Sequence, residues 1–181
     1  MSTPVAWYMH HLNANPITTK AVTSGVICFA GDVNCQMIIH HHNNKSRAAK
    51  EDFVLDKVRT CRMAFLGFAL IGPVSHVWYG IVNKVIPGTG AIVNLKRVLL
   101  DQGFFAPLFI STFFTTAKTL EGNKPAESVQ ALKDSFLDIY KSNLMLWPAA
   151  MLINFSFVPP QFQVLYANAV GLIWNSYMSF M

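Results

Sequence analysis

From Ser142 to Met181 the chain carries no Asp, Glu, Lys or Arg. No water-facing surface is built over such a length without charge, so this stretch limits the fold more than any other feature. Met63–Asn83 and Gln102–Ala117 also lack all four residue types. Crossing a hydrocarbon core of about 30 Å takes about 20 mostly apolar residues at 1.5 Å rise per residue. Between Ile17 and Ile39 the pattern is similar, interrupted by Lys20 at its edge and Asp32 in its middle. Four hydrophobic zones result, near residues 17–39, 61–83, 99–119 and 142–180. The last is long enough for two helical pieces divided at Pro159-Pro160, where backbone donors are missing.

Backbone groups in lipid must pair within their own segment, and long Phe, Leu and Ile-rich runs do not alternate as barrel strands do. The expected fold is therefore all-α: a polytopic transmembrane helix bundle forming a single membrane domain over residues 1–181. It has four spans, with a fifth helical segment if the last zone divides. A soluble bundle is the competing reading, but its helices keep a charged face that the second and fourth zones lack. Charged residues make up only 13% of the chain, against about 25% in soluble domains.

The connections hold the charge. Lys45, Arg47, Lys50, Lys57, Arg59 and Arg62 surround the first, Lys84, Lys96 and Arg97 the second, and Lys118, Lys124, Lys133 and Lys141 the third. The excess of basic residues in the first and third puts those on the matrix or cytosolic side, with the N terminus opposite. In the third, Val129, Leu132, Phe136, Ile139 and Tyr140 recur at helical spacing, which predicts an amphipathic helix over 126–146 that lies at the interface or leads into the fourth span. The first 20 residues carry Lys20 as their only basic side chain. They resemble neither a secretory signal nor an Arg-rich transit peptide.

Lipid penalises a few groups. Asp32 at the centre of a span costs about 2.5–3.5 kcal/mol on insertion scales, and it needs a partner. Gln36 lies one turn later on the same face, and Arg59 and Arg62 are the nearest bases in sequence. Asp32 then either fixes helix packing through an ion pair or lines a polar passage. The same helix carries a stripe of small residues, Ala21, Gly25, Cys28, Gly31 and Cys35, that lets helices approach closely. Pro73 is expected to kink the second span, and His76 follows as a hydrogen-bonded packing residue. Arg97 and Asp101, at i and i+4, predict a local ion pair at the entrance to the third span, the alternative being that Asp101 reaches across the bundle toward another span's basic group. Asp32, Gln36, Arg59, Arg62, His76 and Asp101 are thus the polar intramembrane or pore candidates. Cys28, Cys35 and Cys61 form no CxxC pair, and His40-His41-His42 point in different directions without a Cys or acidic partner at useful spacing. No metal or cofactor is expected. There is no GxSxG, Gly-rich phosphate loop or HExxH, so no catalytic residue is assigned and the chain reads as a non-enzyme.

A series of motifs runs in order along the chain. It begins with Trp7, Leu12, Pro16, Thr23-Ser24-Gly25, Gly31-Asp32 and Gln36. It continues with Asp56, Arg59, Gly67, Gly72-Pro73, His76, Trp78-Tyr79, Pro87-Gly88, Asp101-Gln102 and Pro107. It ends with Leu146-Trp147-Pro148, Asn154-Phe155, Val158-Pro159, Trp174-Asn175, Tyr177 and Ser179. The series resembles the Mpv-seventeen and peroxisomal membrane protein family over nearly the whole chain. Two positions depart from it. Met151 stands where the family often has Gln, and Gln163 where it often has Arg, so a fixed positive charge is lost.

The resemblance implies a four-span protein of the mitochondrial inner membrane, or alternatively of the peroxisomal membrane. Its implied role is a weakly selective channel for small solutes or metabolites that supports mitochondrial DNA maintenance and reactive-oxygen handling. The alternatives are a non-conducting scaffold or assembly factor, for example for the mitochondrial ribosome, and a peroxisomal channel. The lipid bilayer is the expected partner. A homo-oligomer and mitochondrial protein complexes are further candidates, and no direct DNA binding is expected.

Overall fold

The computed structural model describes residues 3–45 and 52–178. Arg47, Lys50 and Glu51 of the first connection and Ser179 of the C-terminal motif lie outside the described residues. Six helices and no strand are found among the described residues: α1 (Pro4–Ala14), α2 (Pro16–Lys45), α3 (Lys57–Val85), α4 (Ala91–Leu120), α5 (Pro125–Phe157) and α6 (Gln163–Met178). Pro16–Asn44 of α2, the whole of α3 and the whole of α4 are long and apolar enough to cross a membrane. The protein is all-helical, with its apolar zones in these elements.

Helix boundaries follow local chemistry. Asp56 caps α3, its carboxylate accepting the Arg59 N–H at 2.9 Å. At the start of α5, Pro125 follows Lys124, whose N–H donates to Glu127 at 3.1 Å. Arg97 of α4 reaches back to the end of α3, where Nε and Nη2 donate to the Ile86 carbonyl at 3.1 and 2.9 Å and Nη2 also to Gly88 at 3.1 Å. The fork satisfies carbonyls that a helix end leaves without donors. On α4, Ser111, Thr112, Thr115, Thr116 and Thr119 each donate to the carbonyl four residues back, so their hydroxyls are satisfied within the helix.

The fourth apolar zone holds two helices. The helix predicted over 126–146 leads into this zone. It continues through Pro148 to Phe157 as one 33-residue element. At about 1.5 Å per residue this is about 50 Å, well beyond a hydrocarbon core. Its charges all lie on the N-terminal side of Ser142. A short turn at Pro160–Phe162 then leads to α6.

Prolines shape α3 and α4 without ending them. Each helix contains one wide turn with i+5 hydrogen bonding, Gly67–Ile71 in α3 and Asp101–Phe105 in α4. The Gly72 N–H bonds the Gly67 carbonyl, and the Ala106 N–H bonds the Asp101 carbonyl. In both cases the next residue is proline, Pro73 or Pro107. A proline ring clashes with the carbonyl four residues back, and the wide turn moves the preceding bonds out of that register. The kink expected at Pro73 therefore takes the form of a wide turn within a continuous helix.

The described chain divides into two compact units. Unit 1 comprises residues 1–73 and 168–181, and unit 2 residues 74–167. In unit 1, α2 packs against the first part of α3 through small residues. A Cβ built on Gly67 would lie 2.6 Å from the Ser24 carbonyl oxygen, and one on Gly72 would lie 2.6 Å from Ala21 Cα. These approaches need glycine. Asn168 of α6 donates to buried Ser24 at 2.6 Å. Unit 2 is built around Trp78, Tyr79, Val82, Val98, Met151, Phe155, Val164 and Ala167.

Candidate functional site

Two polar clusters stand out, one in each unit. In unit 1 the cluster is centred on Asp32 of α2, whose side chain is 2% exposed. Arg59 Nε donates to Asp32 Oδ1 at 2.8 Å, and the Thr60 hydroxyl donates to Oδ2 at 2.7 Å. Gln36 Nε2 donates to the same Oδ2 at 2.7 Å and to Thr60 Oγ1 at 2.9 Å. Gln36 Oε1 in turn accepts the Asp56 N–H at 2.8 Å. The helical spacing of Asp32 and Gln36 places both on one face of α2, and the capped first turn of α3 brings Arg59 and Thr60 to meet them. Both carboxylate oxygens are occupied. Arg59 also points Nη2 at Cys35 Sγ, 3.7 Å away, and its side chain is 40% exposed. The charged pair thus has a dry acid and a base that reaches the surface.

The sequence candidates Asp32, Gln36 and Arg59 come together here. Arg62, half-buried, lies on the same helix as Arg59, and Arg59 is the base found on Asp32. Thr60 is the member that a search for charged residues misses. A polar residue three or four positions from a capping acid was its only signal.

In unit 2 the cluster is set by the wide turn of α4. Asp101, 4% exposed, accepts from Trp78 Nε1 at 2.6 Å and from Gln102 Nε2 at 2.7 Å. The expected Arg97–Asp101 pair is not formed, because Arg97 is spent on the Ile86 and Gly88 carbonyls while Trp78 reaches Asp101. No ion pair to Asp101 is found among the described residues. The Trp78 indole stacks on Phe105 with ring centroids 4.6 Å apart, which aims its N–H. Gln102 extends the chain of bonds, accepting from Asn143 Nδ2 at 2.8 Å. Its backbone carbonyl has no helical donor, since the Ala106 N–H goes to Asp101 and Pro107 has none. The Tyr140 hydroxyl takes that carbonyl at 2.9 Å. The wide turn therefore both carries Asp101 and opens an acceptor for α5.

Deeper in unit 2, Tyr79 and Asn154 both donate to the sulfur of Met151, at 3.6 and 3.7 Å. Gln163 accepts from Asn83 at 3.1 Å through its side chain, and its carbonyl accepts from Asn154 at 3.3 Å. The two positions that depart from the motif series are thus fully buried acceptors. An arginine at 163 would place a cation there. His76 is half-buried on α3 in the same unit. Asn154 Oδ1 and Asn94 Oδ1 are buried without a hydrogen-bond partner among the described residues. These uncharged amides were invisible to a reading based on charge spacing.

Among the described residues no group of three or more His, Cys, Asp or Glu side chains is placed to hold a metal ion. His40 is bonded to Asn44 at 3.0 Å, one turn along α2.

The sequence model of the Mpv17 / PMP22 family matches residues 118–179. The chain is 36% identical to the mitochondrial inner membrane protein Mpv17 of Bos taurus over 95% of its own length and 93% of the relative's. It is 37% identical to protein sym1 of Aspergillus oryzae over 96% and 94%. It is 34% identical to peroxisomal membrane protein 2 of Bos taurus over 95% and 86%. No solved structure matches the chain. With apolar helices long enough to cross a bilayer and similarity to these relatives along nearly its whole length, the chain belongs to the Mpv17 / PMP22 family of membrane proteins.

Proposed function

We propose that the protein resides in the mitochondrial inner membrane and forms a weakly selective passage for small polar solutes, with no catalytic step. The observation that carries this reading is Asp101, a buried acid on a membrane-crossing helix with two neutral donors and no ion pair among the described residues. An intramembrane acid of this kind is by default a candidate element of a solute path. Gln102 and Asn143, bonded in series to Asp101, support the same reading. Asp32 has the other role: its pairing with Arg59, Thr60 and Gln36 suits a packing lock. The similarity to a mitochondrial inner membrane protein supports the location.

Purified protein in sealed liposomes loaded with a small fluorescent or radiolabelled solute tests the activity. Efflux above that of empty vesicles is expected, and none, with insertion verified, overturns it. Imaging of a tagged chain tests the location, with peroxisomal staining favouring the relative of that membrane.

One observation favours an assembly role as a second reading. The first half of α5 exposes Val129 and Leu137 among charged residues, a surface a partner complex would cover. Co-sedimentation of the protein with mitochondrial ribosomes, without solute efflux, would select it.

A further inference from the structure

The end of unit 2 that holds the connection between α3 and α4 carries fixed positive charge, and the nearest acid in sequence, Asp101 one turn beyond Arg97, is buried and bonded to Trp78 and Gln102. Lys84 lies in the last turn of α3, and Lys96 and Arg97 lie early in α4. Arg97, a residue 8% exposed, bonds the Ile86 and Gly88 carbonyls, so its guanidinium is pinned at the connection itself. No Asp or Glu occurs from Lys57 to Leu100.

The other elements at this end add none. Asn94 donates to Ser156 at 3.0 Å, which brings the last turn of α5 beside the start of α4. Asn83 donates to Gln163, which brings the start of α6 beside the end of α3. Both neighbours belong to the uncharged stretch that begins at Ser142. The acids that do lie on the surface of this unit, Glu121, Glu127, Asp134 and Asp138, belong to the end of α4 and the first half of α5. Around the basic residues the surface is aliphatic: Val85, Ile92, Leu95 and Leu99 are all exposed, as are Lys84 and Lys96.

We propose that this end of unit 2 is a binding surface for an anionic phospholipid, whose phosphate headgroup meets Lys84, Lys96 and the connection pinned by Arg97 while its acyl chains lie on Val85, Ile92, Leu95 and Leu99. Both helices are long and apolar enough to cross a bilayer, so their short connection falls at headgroup level. Lysine there reaches the headgroups with its ammonium and covers apolar surface with its stem. Charge complementarity selects an anionic lipid, and the aliphatic surround selects a lipid over a free anion. Basic sites between membrane helices bind such headgroups, with an attraction per basic residue that corresponds to about fivefold in affinity.

The test uses the full chain in nanodiscs of equimolar phosphatidylglycerol and phosphatidylcholine, released and weighed by native mass spectrometry. The wild type is expected to retain phosphatidylglycerol preferentially, and excess inorganic phosphate is expected not to displace it. Lys84→Gln with Lys96→Gln should lower the preference on the order of twentyfold, while Lys84→Arg with Lys96→Arg should keep it. Lys118→Gln with Lys124→Gln, at the other end of α4, should leave it unchanged. Equal retention of the two lipids by the wild type, displacement by phosphate, or the same loss in both neutralised variants overturns the proposal. Both substituted lysines are exposed, and circular dichroism of each variant verifies the helical fold before weighing.

Discussion

A double-mutant cycle on Asp32 and Arg59 asks whether their contact holds unit 1 together. Asp32→Asn leaves one oxygen where the carboxylate had two. Arg59 keeps an acceptor but loses a charge partner, and the new amide N–H2 faces Gln36 Nε2, which is itself a donor. The Thr60 hydroxyl, which also bonds Asp32 Oδ2, can turn to the Asp56 carbonyl 3.0 Å away, so losing the Gln36 bond and weakening that of Arg59 costs about 2–3 kcal/mol. Arg59→Gln leaves a buried carboxylate with only Thr60 and Gln36. Breaking a fully buried pair costs about 3–5 kcal/mol, but Arg59 is 40% exposed and water relieves part of it, so about 2 kcal/mol is expected. The double variant buries no charge and should cost about 2–3 kcal/mol, which makes the coupling about 2 kcal/mol. Reversible unfolding in mixed detergent micelles, followed by far-ultraviolet circular dichroism, measures all four proteins. Additivity within about 0.5 kcal/mol would refute the reasoning, because it would mean that the two groups do not depend on each other.

Two further substitutions probe packing and the second cluster. Gly67→Ala should destabilise the protein by about 1–2 kcal/mol, since overpacking against the Ser24 carbonyl outweighs the helix-propensity gain. Gly80→Ala, with nothing within 4 Å of the added carbon, should raise stability by about 0.5–1 kcal/mol, and equal signs in thermal melts would be a contradiction. Trp78→Phe keeps an aromatic ring on Phe105 but removes the donor to Asp101, and the melting curve should report a loss of about 1–3 kcal/mol.

The first three spans were legible because bilayer thickness imposes a length and lipid excludes charge, so gaps between charged residues mark them directly. Asp32 was legible for the same reason, and its partner followed from the few bases nearby. The Arg97–Asp101 pairing failed where proximity along a helix was taken as contact. Carbonyls at the end of α3 and an indole from the same helix are stronger competitors, and both come from outside α4. The wide turns escaped because a proline announces a disturbance without saying how the helix absorbs it. The small-residue stripe on α2 was readable, but its counterparts Gly67 and Gly72 required knowing which turns of α3 face it.

The account turns on Asp101 contributing to a solute path and not only to packing. Reversal potentials of the reconstituted protein across a planar bilayer under a salt gradient test this most directly, comparing wild type with Asp101→Asn. The account predicts a measurable conductance whose cation preference falls in the variant while the amount of inserted, folded protein stays the same. An identical reversal potential in the two proteins, at equal insertion, would contradict it.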